Sequence, residues 1–199
     1  MSSTAIAIRR ARADEAGLLS DLAFRSKAHW GCPLDWLERW RPELTLDPQA
    51  LVAAPTFVAV AEASLLGFYH LTPTRRADAC ELDFLFIEPT AIGRGIGQAL
   101  FTHACTTARG LGYRSMVWGS DPHADGFYRR MGARTIGARQ SSTMLGRAIA
   151  EMEMVASRVT QGSQWPPLRP GNLGGPGAAL RPWYSWGGPQ STPSGRPHA

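Results

Sequence analysis

Lysine is nearly absent from this chain: of its 21 basic residues only Lys27 is a lysine and the rest are arginine. We read that one-sidedness as a compositional bias of the source genome and not as a functional patch. Cysteine is scarce as well. Cys32, Cys80 and Cys105 are odd in number, scattered and without a C-x-x-C pair, which argues against a disulfide framework and against a zinc site. No metal is expected, and a reduced, cytoplasmic setting is. Long apolar runs are also missing. The most apolar stretch, 51–68, is interrupted by Pro55 and Glu62, and the opening "MSSTAIAIRRARADEAG" holds no sustained apolar segment, so neither a membrane partner nor export is expected. Acidic residues are absent from 161–199, which carry Arg169, Arg181 and Arg196; these three leave only +2 of the net charge of +5 on the rest of the chain. So small an excess makes no nucleic-acid footprint, which needs clustered cations on one face.

What is present suits one globular domain: 199 residues with 44% hydrophobic content can bury one sizeable core. The stretch 4–11 alternates as a first strand. After Asp14, Leu18, Leu19, Leu22 and Ala23 recur at helical spacing. A second short helix is predicted over 33–40, with Trp36 and Trp40 four apart on one face. Two apolar runs, 56–62 and 65–71, read as a hairpin. The run 80–89 reads as a third strand of that sheet, with Leu82, Phe84 and Phe86 alternating against Glu81, Asp83 and Leu85. From Gly95 the pattern turns helical, with Ile96, Leu100, Ala104 and Ala108 on one face, and Gly110 is expected to cap its end. A strand (114–120), a short helix (121–132) and two closing strands (133–141 and 149–157) complete the order β-α-α-β-β-β-α-β-α-β-β. Beyond Val159 proline and glycine dominate. Residues 160–199 are therefore expected to be disordered or extended, as a dispensable tail, a read-through extension or a partner-docking segment carrying Trp165, Trp183, Tyr184 and Trp186.

The most informative stretch is "IEPTAIGRGIGQALF", 87–101, with Gly93, Gly95 and Gly97 around Arg94. A strand that enters a helix through such a turn gathers unpaired N–H groups and the positive helix end at one point, which suits phosphate oxygens. Two familiar phosphate loops fail here. A P-loop needs Gly-Lys-Ser/Thr, and Gly97 is followed by Gln98 and Ala99; a dinucleotide fingerprint needs a third glycine where Gln98 stands, and an acid near Gly112–Arg114.

With its acidic alternating strand before it, and a strand plus "DPHADGFYRRMGA" after it, this loop resembles the acyl-CoA pyrophosphate loop and second motif of the GCN5-related N-acetyltransferase (GNAT) family. The resemblance covers roughly 5–157 and implies a GNAT domain over 4–157, an α/β (α+β) three-layer fold with a mixed, mostly antiparallel sheet and helices on both faces. The family loop reads Gln/Arg-x-x-Gly-x-Gly/Ala; Gly95 and Gly97 fill its glycine places, while Ile92 departs at the first and Arg94 is the best substitute for phosphate charge. The implied cosubstrate is acetyl-CoA, held by Gly93, Arg94, Gly95, Ile96, Gly97 and Gln98, by main-chain groups of Phe86 and Ile87, and by Asp121, which also suits an N-cap before Pro122.

The resemblance places Tyr128 as the acid that protonates the departing thiolate, the alternative being an aromatic packed under the sheet. Glu81 and Asp83, two apart on one strand face, either relay an amine proton through water, Glu81 placed first, or are solvated. His123 is a cofactor neighbour or a surface residue; His29 and Trp30 line an acceptor pocket or pack. The stretch 141–154 resembles the end of a bacterial branch of the family. The expected activity is acetyl transfer from acetyl-CoA to a primary amine of a small molecule or protein. The alternative is a non-catalytic acyl-CoA-binding module, and a homodimer is left open. Because the tail offers no packed core, truncation after Val159 is expected to leave the melting temperature and acetyl-CoA binding nearly unchanged, as melting curves of the two chains would check.

Overall fold

The computed structural model describes residues 6–141 and 146–155. Among them the elements run β1 (Ala7–Arg10), α1 (Ala16–Ala28), α2 (Leu34–Trp40), α3 (Pro48–Ala53), β2 (Thr56–Ala61), β3 (Ser64–Pro73), β4 (Ala79–Ile87), α4 (Ile96–Gly110), β5 (Ser115–Ser120), α5 (Pro122–Arg130), β6 (Arg134–Gln140) and β7 (Ala148–Val155). The strands form one sheet in the order β1-β2-β3-β4-β5-β7-β6. Every neighbouring pair is antiparallel except β4 and β5. Residues 4, 5, 142–145, 156 and 157 of the expected domain, and the whole of 160–199, lie outside the described residues.

Two cores, one on each face of the sheet, make three layers. On one face α4 and α5 bury Ile96, Leu100, Phe101, Ala104 and Tyr128 against Tyr69, Leu82, Met116 and Trp118. On the other, Leu19, Leu22 and Ala23 of α1 join Leu37, Trp40 and Leu51 over Val58, Phe68 and Phe84. With both faces covered, β3 is buried from Leu66 to Leu71 without alternation. Leu18 departs from the expected helical core and is 61% exposed, because the α1 stripe that meets the sheet runs through Leu19, Leu22 and Ala23.

Three local expectations are corrected. The helix α3 was not foreseen, although its start is legible: the Asp47 side chain caps it by accepting from the Gln49 N–H at 3.0 Å, and Pro48 occupies the first helical position. The helix α4 does not end on Gly110. Gly110 is still helical and Gly112, at φ +90°, reverses the chain, the Tyr113 N–H bonding back to Ala108 O at 3.0 Å. Finally, Leu82 does not share a face with Phe84 and Phe86. The register passes from Leu71↔Leu82 to His70↔Phe84, so Asp83 is an extra residue in β4, a β-bulge. Leu82 therefore joins the α4 core while Phe84 and Phe86 face α1.

Gly67 of β3 carries the closest approach to a backbone atom among the described glycines. A Cβ there would lie 2.8 Å from the Phe86 carbonyl oxygen, 2.9 Å from Ile87 Cδ1 and 3.1 Å from Leu100 Cδ1. The backbone oxygen cannot swing aside as a side chain would. Gly67→Ala should destabilise the protein by about 1–3 kcal/mol, the range for overpacking a filled core, as denaturant unfolding would measure.

Candidate active site

The site begins where the only parallel pairing among the described strands stops. β4 and β5 share three register pairs, Ala79↔Ser115, Cys80↔Met116 and Glu81↔Val117. Beyond them β4 continues to Ile87 and β5 to Ser120 without further pairing. The two strands splay, and the edge of β4 that carries Phe86 and Ile87 stays open on its β5 side; β3 takes the opposite edge through Phe68↔Phe86 and Gly67↔Ile87.

The glycine turn sits at the end of this open strand. Gly93 and Gly95 have φ of +82° and +80°, a left-handed conformation that side chains rarely adopt. An added Cβ at either would meet nothing within 4 Å, so backbone conformation and not space is what these glycines supply. The first bond into α4 is Ala99 N–H to Gly95 O at 3.0 Å; the N–H groups of Gly93, Gly95, Ile96, Gly97 and Gln98 have no partner among the described residues. Five unpaired amides at a helix N-terminus form a concave set of donors for an anion, and the helix dipole adds to it. Arg94 is exposed beside them.

Tyr128 of α5 is 7% exposed. Its ring lies 4.7 Å from that of Trp118 on the splayed half of β5 and 5.5 Å from that of Phe101 on α4. Burial first, and the nearby Asp121 carboxylate second, push its phenol up, so the hydroxyl keeps its proton throughout the physiological range. Nε1 of Trp118 is buried with no hydrogen-bond partner among the described residues.

The opposite face of the splay is acidic. Glu81 lies 3.9 Å from Arg139 and is half-buried; desolvation raises its pKa, Arg139 opposing. Asp83, the bulged residue, is half-buried and reached by no ion pair among the described residues. Desolvation, with the Glu81 and Glu43 carboxylates adding and Arg139 opposing, pushes it up to about 7. Asp121, the first residue after β5, behaves otherwise. Burial would raise it, but Lys27 at 2.6 Å and Arg147 at 3.4 Å hold it below the usual range, while its other oxygen accepts the His123 N–H at 3.1 Å and caps α5. The carboxylate of Asp121 is thus occupied by cations and the cap.

His123 is exposed and stacked on Trp30, ring centroids 5.2 Å apart, and His29 packs edge-on to the same Trp30. The structure thus places Phe86, Ile87, Glu81 and Asp83 on β4, the loop directly after it, Tyr128 on α5 against Trp118 of β5, and Asp121 at the end of β5, with the two acidic residues of β4 and Tyr128 on opposite faces of the splay. Sequence reasoning missed Arg139, which lies over Gly119 and sets the charge balance of Glu81; nothing in the local pattern of an edge strand signals that contact.

The model of the acetyltransferase (GNAT) family matches residues 21–133. The chain belongs to the GNAT acetyltransferase family. It is an acetyl-CoA-dependent N-acetyltransferase. A peptidyl-lysine N-acetyltransferase, YjaB of Salmonella typhimurium, is 36% identical over 135 residues, covering 66% of this chain and 86% of that protein. Among solved structures, the PaiA N-acetyltransferase of Thermoplasma acidophilum in complex with coenzyme A superposes with a TM-score of 0.62 at 19% identity, over 76% of this chain and 99% of that one. Salmonella typhimurium YncA, solved with acetyl-CoA, gives 0.57 at 18% identity over 77% and 95%. At these identities the two structures establish the fold, including its mixed seven-strand sheet. Among the described residues no helix is long and apolar enough to cross a membrane.

The Asp83 carboxyl gives a pH test. Its folded pKa of about 7 lies above its ordinary value of 3.8, so the native state binds this proton more tightly than the unfolded state and loses stability as pH rises from about 4 to about 7. Asp83→Asn should remove that loss. Paired melting curves across the window should therefore show the parent falling relative to Asp83→Asn, and parallel curves would refute the raised pKa.

Proposed function

We propose that the acceptor is the ε-amine of a lysine in a polypeptide and that Tyr128 and Asp83 divide the proton transfers of the reaction. The observation that carries the reading is the open β4–β5 splay, with five unpaired loop amides following β4, a protonated, buried Tyr128 packed on Trp118 of β5, and Asp83, free of ion pairs among the described residues, at the bulge of β4 on the other face. In this reading the amides of Gly93, Gly95, Ile96, Gly97 and Gln98 hold the pyrophosphate, with Arg94 adding charge, and main-chain groups of Phe86 and Ile87 hold the pantetheine arm. Asp121 acts beside them as the α5 cap at the cleft mouth. Acetyl-CoA supplies an activated thioester.

A lysine ammonium must lose a proton before its nitrogen can attack. Asp83 is the better base of the acidic pair: Glu81 is offset by Arg139, whereas Asp83 titrates near neutral pH and can take the proton through water. The acidic wall also favours a cationic acceptor over an anionic one. Tyr128 retains its proton until the thiolate leaves, then donates it. The resemblance to the peptidyl-lysine enzyme supports the acceptor class.

Tyr128→Phe removes the proton and keeps the ring. In an assay that follows CoA thiol release with a lysine-containing peptide, kcat should fall by about 10²–10⁴-fold, the usual contribution of a positioned acid, with little change in KM for acetyl-CoA. Full turnover by Tyr128→Phe would remove Tyr128 from the mechanism. Turnover on small amines with none on the peptide would overturn the acceptor class.

A further inference from the structure

We infer that the last turn of α1 sets the width of the cofactor cleft, with Lys27 and Arg25 as positioning residues; this rests on the reading of the β4–β5 splay as the cofactor site. Beyond Glu81 and Val117 no register pair fixes the distance between the two strands. The end of α1 reaches both of them. Arg25 donates to the carboxylate of Glu88, the first residue after β4, at 2.7 Å, and Lys27 donates to Asp121, the first residue after β5, at 2.6 Å. Residues two apart on an α-helix project about 200° from each other, so one turn can send one arm to each strand end.

The Lys27 arm is the more enclosed. The side chains of Lys27 and Asp121 are 19% and 20% exposed, against 52% for Arg25. Partial burial screens a pair less than open solvent does. Nζ of Lys27 also lies 4.6 Å from the centroid of Trp40, which fixes the ammonium from a second side. A further tie crosses the same gap, since Trp30 just past α1 stacks on His123 of α5. Because the other oxygen of Asp121 caps α5, a shift of Asp121 moves the helix that carries Tyr128. The single lysine of the chain is therefore a strut between the two lips of the cleft, acting through Asp121 without touching the reacting atoms.

The test compares Lys27→Met with a control at the far end of the same helix. Arg9 makes an ion pair of equal length, 2.6 Å, with the buried Glu15 just before α1 and lies away from the splay. CoA binding by titration calorimetry on the cofactor-free chain, and steady-state kinetics, are read on each variant. Lys27→Met should weaken CoA and raise KM for acetyl-CoA by about tenfold, with a smaller effect on kcat. Lys27→Arg should recover most of the loss. Arg9→Met should lower the melting temperature while keeping the parent's affinity. Arg25→Met, at the more exposed pair, should weaken CoA in the same direction by a smaller factor and gives a reading even if Lys27→Met fails to fold. Parental affinity in both Lys27→Met and Arg25→Met, or an equal loss in Arg9→Met, overturns the strut. A parent that binds no CoA overturns the cleft reading, and the inference with it.

Discussion

Hydrogen bonding between the parallel strands β4 and β5 ends after Glu81 and Val117, and the open wedge that follows is the constraint around which the site is built. A fully zipped pair would leave no free strand edge and no gap between the two halves of the sheet. The bulge at Asp83 lies just past the last paired residue, where an extra residue bends its strand and raises local twist. Gly67 lets β3 and α4 close tightly against Phe86 and Ile87 on the other side. The strand is thus gripped along one edge and open along the other. The helices α4 and α5 cover one face of the wedge and α1 the other, which gives each face a different chemistry.

Three carboxylates around the wedge illustrate how position sets protonation. Asp121 sits between Lys27 and Arg147 and stays ionised. Glu81 has one cation at 3.9 Å against its burial. Asp83 is desolvated next to other carboxylates and titrates near neutrality. The residue type is nearly the same in all three; the neighbours differ, and these come from α1, β6 and the segment before β7. Tyr128 obeys the same rule, since burial keeps the proton on its phenol.

Much of the local structure of the candidate site was legible because it depends on backbone chemistry. Three alternating glycines before an amphipathic run announce a turn with positive φ and a helix N-terminus with free donors, and Gly93 and Gly95 adopt that conformation. Asp before Pro announces the cap of α5. The same signal at Asp47 and Pro48 was overlooked, because the helix it starts is short and carries little periodicity. Gly110 misled for a related reason: two glycines close together offer two ends for one helix, and the packing of Tyr113 beyond Gly112 decides between them.

The sequence by itself determined the succession of elements, the phosphate-type turn, the apolar stripes of α1 and α4 and, through its two motifs, the family. These are short-range matters of periodicity, capping and the conformational freedom of glycine. Only the tertiary structure decided where β4 and β5 part, that Asp83 is a bulge which turns Leu82 away from Phe84, that Arg139 serves Glu81, and that Lys27 reaches Asp121 across 94 positions of the chain. Each of those depends on groups far apart in sequence meeting at a distance where charge, burial and register act, and no local pattern of residues encodes that meeting.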